Sequence, residues 1–199
     1  MPRAQLTPEE VEAMRRRLSS AGLRIYRQEG LEALTFRRLA DALDVSHMLP
    51  YRYFDNKDAL LARMRVDALG QFESYVREHE SRADGPMAQV HAVAEAYVAF
   101  AQQHPAEYLL IFATHQPAPG QYPEVLQARR SVFEHAVEVL QRCIDQGRLQ
   151  GEASELAHAL WVNLHGLMTL HAAGQLVHGK TLEQLVEPLL GRLLNGYRT

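Results

Sequence analysis

Apolar residues recur every three to four positions along almost the whole chain, and no alternating run of useful length interrupts them. That periodicity predicts helices and no strands. In the first segment Val11, Met14, Leu18, Ala21, Gly22 and Ile25 share one face; Thr7-Pro8-Glu9-Glu10 precedes them and Gly30 follows. This is a capping box with proline at the first helical position and a glycine stop. A short second helix opens at Thr35 and carries Phe36, Leu39, Ala40 and Leu43 on one side. Past Asp44-Val45, Ser46 to Phe54 reads as a third helix, and Asp55-Asn56 can cap a long one from Lys57 to Ser81. Ala83-Asp84-Gly85-Pro86 marks a break. Further helices are expected over Met87 to Gln103, Ala106 to Thr114, Glu124 to Gln146, Ser154 to Ala173 and Leu182 to Asn195, the last opened by Thr181 with Gln184 three residues on. The fold class is all-α, roughly nine helices arranged as a three-helix head and a helical body.

Composition narrows the setting. The chain has 199 residues, 47% hydrophobic and 23% charged, with net charge -3, enough to bury a core without disulfides or metals. Cys143 is the single cysteine and cannot form an internal disulfide. The segment MPRAQLTPEE lacks an apolar signal core, and no 18 apolar residues run together, so a cytoplasmic location and no membrane contact are expected. Charge is unevenly spread: residues 1–65 hold 12 basic against 9 acidic groups, the remainder 9 against 15. A nucleic-acid role must therefore rest on a local basic surface and on geometry.

Residues 36–54 have helix-turn-helix spacing: apolar Leu39, small Ala40, apolar Leu43, a turn at Asp44, apolar Val45, then Pro50 and Tyr53 turned inward. Ala40 suits a close crossing of two helices. The turn position demands φ > 0, which Asp tolerates better than most residues. Such a unit puts the start of its second helix in the DNA major groove. A second argument concerns Arg37 and Arg38, just after Thr35, and Lys57 at the start of the long helix. Cations at helix N-termini oppose the helix dipole unless an anion sits there, and a DNA phosphate meets that need. Tyr51, Arg52 and Tyr53 add two phenols and a guanidinium to the same region, and His47, Met48 and Leu49 are placed to meet base edges. His47 can donate to a purine N7, whereas Met48 and Leu49 offer apolar contact to a thymine methyl. Arg15, Arg16 and Arg17 read as a solvated face.

Thr35-Phe36-Arg37-Arg38-Leu39-Ala40, Val45-Ser46 and Tyr51-Arg52-Tyr53-Phe54-Asp55-Asn56-Lys57-Asp58-Ala59-Leu60 resemble the DNA-binding head of TetR-type transcriptional regulators. The resemblance implies a homodimer that reads a palindromic operator and is released by a small molecule held in the body. It places Thr35, Tyr51, Tyr53 and Lys57 at phosphates and residues 47–49 at bases. It also divides the chain into a DNA-binding head, 1–56, and an effector-binding and dimerisation body, 57–199. Asp44 stands where the family usually has glycine, and Pro50 where it has leucine or isoleucine. A proline there forfeits one backbone bond, so an irregular recognition helix is expected.

In the body, Trp161-Val162-Asn163-Leu164-His165-Gly166 resembles the Trp, His and Gly signature of one TetR-type ligand-domain subgroup. Trp161, His165 and Met168 fall on one helical face, and Gly166 permits a second helix to come close. Tyr97, Phe100, Phe112, His115 and Phe133 are candidates to line a pocket with them for an apolar or aromatic effector; plain core is the alternative reading. Leu182, Leu185, Val186, Leu189, Leu190, Leu193 and Leu194, with Leu156, Leu160, Leu164 and Leu167 before them, suit a four-helix dimer interface built from the two C-terminal helices, and Pro188 is expected to kink the last one.

Enzyme readings fare poorly. Glu155-x-x-His158 is half of a di-iron motif whose second half is missing, and there is no Cys-x-x-Cys, His-Glu-x-x-His, P-loop or Gly-x-Ser-x-Gly. No catalytic residue, metal or cofactor is expected. The alternative to a regulator is a helical adaptor or small-molecule receptor that does not bind DNA.

Overall fold

The computed structural model describes residues 7–112, 116–118 and 120–198. Among these there are eight α-helices: α1 Pro8–Glu29, α2 Phe36–Leu43, α3 Lys57–Glu80, α4 Pro86–Gln103, α5 Pro105–Phe112, α6 Pro123–Asp145, α7 Ala153–Ala172 and α8 Leu182–Asn195. The all-α expectation holds, with one isolated bridge between Leu149 and Arg198 as the only extended pairing described. Both expected capping boxes form. Glu10 N–H donates to the Thr7 hydroxyl at 3.2 Å while Thr7 N–H donates to the Glu10 carboxylate at 2.8 Å, and Thr181 with Gln184 repeats the pattern on α8. α8 runs uninterrupted through Pro188.

The described residues fall into two compact units, one within Met1–Gly70 and Ala106–Ala128, the other within Gln71–Pro105 and Arg129–Thr199. In the first, Leu18, Leu34, Leu39, Leu60 and Met64 are fully buried. Gly22 belongs to that core because a Cβ there would lie 2.9 Å from the Met64 sulfur. α5 is fastened into this unit by polar contacts: the Glu107 carboxylate, 1% exposed, pairs with Arg27 of α1, and Arg65 Nε of α3 donates to the Leu110 carbonyl at 3.3 Å. A carboxylate so deeply buried needs its cation.

In the second unit α7 packs on α4 and on α8. Phe100 is fully buried, with Phe72 edge-on at 5.0 Å and Tyr97 edge-on to Phe72 at 5.6 Å. Leu140, Leu156, Leu182 and Leu194 complete this core. Cys143 is buried among them and burial pushes its thiol up, which makes it inert.

The turn after α2 adopts the geometry expected of it. Asp44 lies in the left-handed region at φ 52°, ψ 52°, and is the one non-glycine residue with positive φ among those described. Ala40, at 0% exposure, marks the close crossing, and Val45 N–H returns to its carbonyl at 3.1 Å. The third helix of the head departs from a regular α-helix. Leu49 N–H bonds to Ser46 O, Arg52 N–H to Leu49 O and Tyr53 N–H to Pro50 O, all at 2.8 to 3.0 Å, and only Pro50–Arg52 forms a 3-10 turn. Proline has no N–H to offer Ser46, so the α ladder cannot pass through position 50 and the tighter i→i+3 pattern takes over.

The left-handed turn generates the first prediction. Asp44→Gly should leave the melting temperature unchanged or raised, because glycine reaches that region without a Cβ penalty. Asp44→Val should destabilise by about 1–2 kcal/mol, a drop of several degrees in thermal unfolding.

Candidate functional site

α2, the turn at Asp44 and the 3-10 segment bring most of the expected DNA-contacting residues onto one stretch of the first unit. Arg37, His47, Met48, Tyr51 and Arg52 are exposed there. Met48 and Tyr51 stand out at 67% and 57% exposure, and the Tyr51 ring rests edge-on against Phe36 with centroids 4.7 Å apart. A large apolar side chain left in water beside two arginines is a surface that awaits a partner. Leu49 is half-buried and Tyr53, at 8% exposure, is part of the core.

Four polar members of the set, Thr35, Arg38, His47 and Lys57, are already engaged. The Thr35 hydroxyl accepts from Arg38 N–H at 3.1 Å as the N-cap of α2, which leaves its own hydrogen to donate. Arg38 grips Glu29 through two bonds of 3.1 and 2.6 Å, and that guanidinium holds the Glu29 carboxyl below its usual range. The dipole argument for a phosphate at this terminus thus rests on Arg37 and the hydroxyl, since Glu29 answers Arg38. Lys57 Nζ donates to the Leu31 carbonyl at 2.7 Å, so the ammonium closes the loop between α1 and α2 while α3 is capped by Asn56, whose Oδ1 accepts from Ala59 N–H at 2.8 Å. His47 Nε2 lies 2.7 Å from Asp41 Oδ1.

The expected pocket residues divide. Tyr97, Phe100 and Met168 are buried, Phe133 is half-buried with its ring 4.4 Å from that of His158, and Trp161 is 42% exposed. His165 is half-buried, its Nδ1 3.4 Å from the Tyr97 hydroxyl and its ring 6.3 Å from that of Trp161. The structure therefore brings Tyr97, Trp161 and His165 together across α4 and α7. Phe112 belongs to the first unit, with its ring 4.9 Å from Tyr108, and His115 lies outside the described residues. Between α7 and α8 an apolar groove is lined by Leu160, Leu164, Leu167, Leu189 and Leu193. Among the described residues, and setting aside the nearby backbone of its own helix, nothing lies within 4 Å of the place a Cβ would occupy on Gly166.

One cluster escapes a reading of the sequence. Glu80 of α3, His135 and Arg142 of α6 and Gln89 of α4 converge inside the second unit: His135 Nε2 lies 2.6 Å from Glu80, and Arg142 pairs with Glu80 and donates to Gln89 at 3.3 Å. The partners are dozens of positions apart and no spacing rule connects them. Among the described residues no three histidine, cysteine or carboxylate side chains are grouped to hold a metal ion, and no helix is long and apolar enough to cross a membrane.

Residues 18–64 match the family model described as bacterial regulatory proteins, tetR family, and residues 90–193, just over half of the chain, match that of the tetracyclin repressor-like C-terminal domain. No curated protein matches the chain. Its fold is similar to that of a Rhodococcus sp. RHA1 protein of unknown function, at 24% identity and TM-score 0.82 over 100% of both chains. The ketosteroid transcriptional regulator KstR2 of Mycobacterium tuberculosis is similar at 15% identity and TM-score 0.64, over 98% of this chain and 97% of that one. FadR from Bacillus subtilis, solved in complex with stearoyl-CoA, is similar at 13% identity and TM-score 0.74, over 92% and 99%.

His165 yields a pH prediction. Burial pushes its imidazole below the ordinary value of 6.5, because a partly desolvated ring resists charge. The unfolded chain then binds the proton more readily than the folded one, so this residue's contribution is present above the unfolded value and lost as pH falls through it toward the folded one. Between about pH 7.5 and about pH 5.5 the melting temperature of His165→Gln should fall less than that of the unaltered protein. Parallel curves would show that His165 is not the group responsible.

Proposed function

The chain belongs to the TetR family of bacterial regulatory proteins, and on that premise we propose that it is a repressor: a homodimer that binds a palindromic operator in the cytoplasm and leaves it when an apolar or aromatic small molecule occupies the body. The family is regulatory and not enzymatic. The observation that carries this reading is the exposed surface of the helix-turn-helix, where His47, Met48 and Tyr51 stand beside Arg37 and Arg52. In the proposal Thr35, Arg37, Arg38, Tyr51, Arg52 and Lys57 meet phosphates, His47, Met48 and Leu49 meet bases, and the functional division falls between a head of 1–56 and a body of 57–199. Buried Tyr53 contributes through its position under the surface.

The C-terminal pair supports the dimer. Val162 and Leu170 of α7 are 64% and 48% exposed, and Gly166 between them faces open space. An apolar helix face with a glycine at its middle admits a second helix at short range. For the effector, Tyr97, Trp161 and His165 supply aromatic surface with a hydroxyl and an imidazole to orient a ligand, and the FadR relative holds stearoyl-CoA, which has a long apolar chain. α3 begins at Lys57 and continues to Glu80, so it spans the division between the two compact units at Gly70. A ligand that shifts α3 would change the separation of the two reading turns, provided it binds the released state more tightly.

Selection of bound fragments from a random DNA pool is the direct test. An inverted repeat with half-sites about one helical turn apart, or a multiple of it, is the expected product; a pool that never enriches would leave a helical receptor that does not bind DNA. Lys57→Ala should weaken binding to every sequence and lower the salt slope by about one unit, whereas His47→Ala should cost about 1–3 kcal/mol on the selected site and little on random DNA.

Trp161 is the single tryptophan, and its emission should change over the effector concentrations that release operator. Trp161→Phe should keep the fold and alter effector potency. Emission that tracks protein concentration and ignores effector would assign Trp161 to the subunit interface instead.

A further inference from the structure

Asp41 has no role in the reading so far. It lies on α2 beside the residues that suit base contact, and its Oδ1 sits 2.7 Å from His47 Nε2, both side chains more than half exposed. An ionised carboxylate only accepts hydrogen bonds. Nε2 must therefore carry the hydrogen in this pair, and Nδ1 is the ring nitrogen left to face a ligand. In a neutral ring that atom is an acceptor. The purine-N7 role suggested for His47 needs a donor, whereas a neutral ring held in this way offers an acceptor.

We propose that Asp41 is a specificity-determining residue: it holds His47 so that Nδ1 accepts from an exocyclic amino group in the major groove, adenine N6 or cytosine N4, and it turns away positions that present only acceptors to it. The proposal rests on the reading of His47 as a base contact. A base preference lost without a loss of stability separates it from a surface ion pair of no account. The pair is solvent-exposed and adds little to folding, so its removal leaves stability nearly unchanged. Asp41 also puts a negative charge on the surface that approaches DNA, so its loss strengthens binding to all sequences while it blurs the choice at one position.

The experiment is pool selection at about pH 8 on the full chain and on Asp41→Ala, Asp41→Asn, His47→Ala and the double variant. The unaltered protein should enrich adenine or cytosine at one position per half-site by about tenfold or more over guanine and thymine, the discrimination of one good base contact. Asp41→Ala should lose that preference while its affinity for random DNA rises. Asp41→Asn should broaden the preference, because an amide can accept from Nε2 or donate to it and so allows both tautomers. In the His47→Ala background, Asp41→Ala should change no base preference and still raise general affinity. A uniform gain in affinity from Asp41→Ala with the preference intact overturns the proposal and leaves His47 a base contact. Preferences unchanged in His47→Ala overturn the base contact and the proposal together, and a guanine or thymine preference at the His47-dependent position overturns the acceptor assignment.

Discussion

The direction of the reading segment depends on one backbone residue. Asp44 turns the chain left-handed at the end of α2, and the N–H groups of Asp44 and Val45 both return to carbonyls of the last helical turn. That closure satisfies orphan carbonyls of α2 and sends Ser46 to Phe54 away at a set angle across buried Ala40. Everything that would touch a base is downstream of that angle. An L-residue there is strained relative to glycine, and Asp is tolerated because its short polar side chain suits the region.

Pro50 then shapes what the turn has aimed. A regular recognition helix would rotate successive side chains by about 100°; a 3-10 segment rotates them by about 120° and eclipses residues three apart. Only Pro50–Arg52 adopts that geometry, while His47 and Met48 lie in the turn before it. Pro50 is buried, whereas His47, Met48 and Tyr51 are exposed to solvent. Side-chain directions of a regular helix therefore do not carry over to residues 50–52, whereas groups anchored on α2 and α3 are unaffected by the proline.

Much of this was legible in the sequence, and what escaped had a common cause. Capping boxes, glycine stops and apolar periodicity are local signals, and α1 and α8 began where Thr7 and Thr181 indicate. The left-handed turn and the irregularity at Pro50 were readable because single residue types impose them. The burial of Glu107 against Arg27, the attachment of α5 to α3 through Arg65 and Leu110, and the cluster around Glu80 are pairings between distant positions. One chain carries no periodic signal for them. Helical spacing likewise identifies a face but not the element it meets, so it could not say that Tyr97 joins His165 or that Phe133 joins His158.

Charge on the reading surface fits this picture. Arg38 is held by Glu29 and His47 by Asp41, so two of the groups proposed to approach DNA carry carboxylates of their own. Each such carboxylate weakens non-specific attraction to phosphate, which scales with the number of phosphates neutralised. Contacts that require a particular base lose less, because they depend on short-range geometry that a held side chain reaches with less loss of rotamer freedom. If the proposed contacts hold, a chain of net charge -3 with a few pre-oriented groups gives up affinity for DNA at large and keeps most of it for the right site. The quantity favoured is the ratio between the two, and that ratio governs occupancy where a genome offers vast numbers of competing sites.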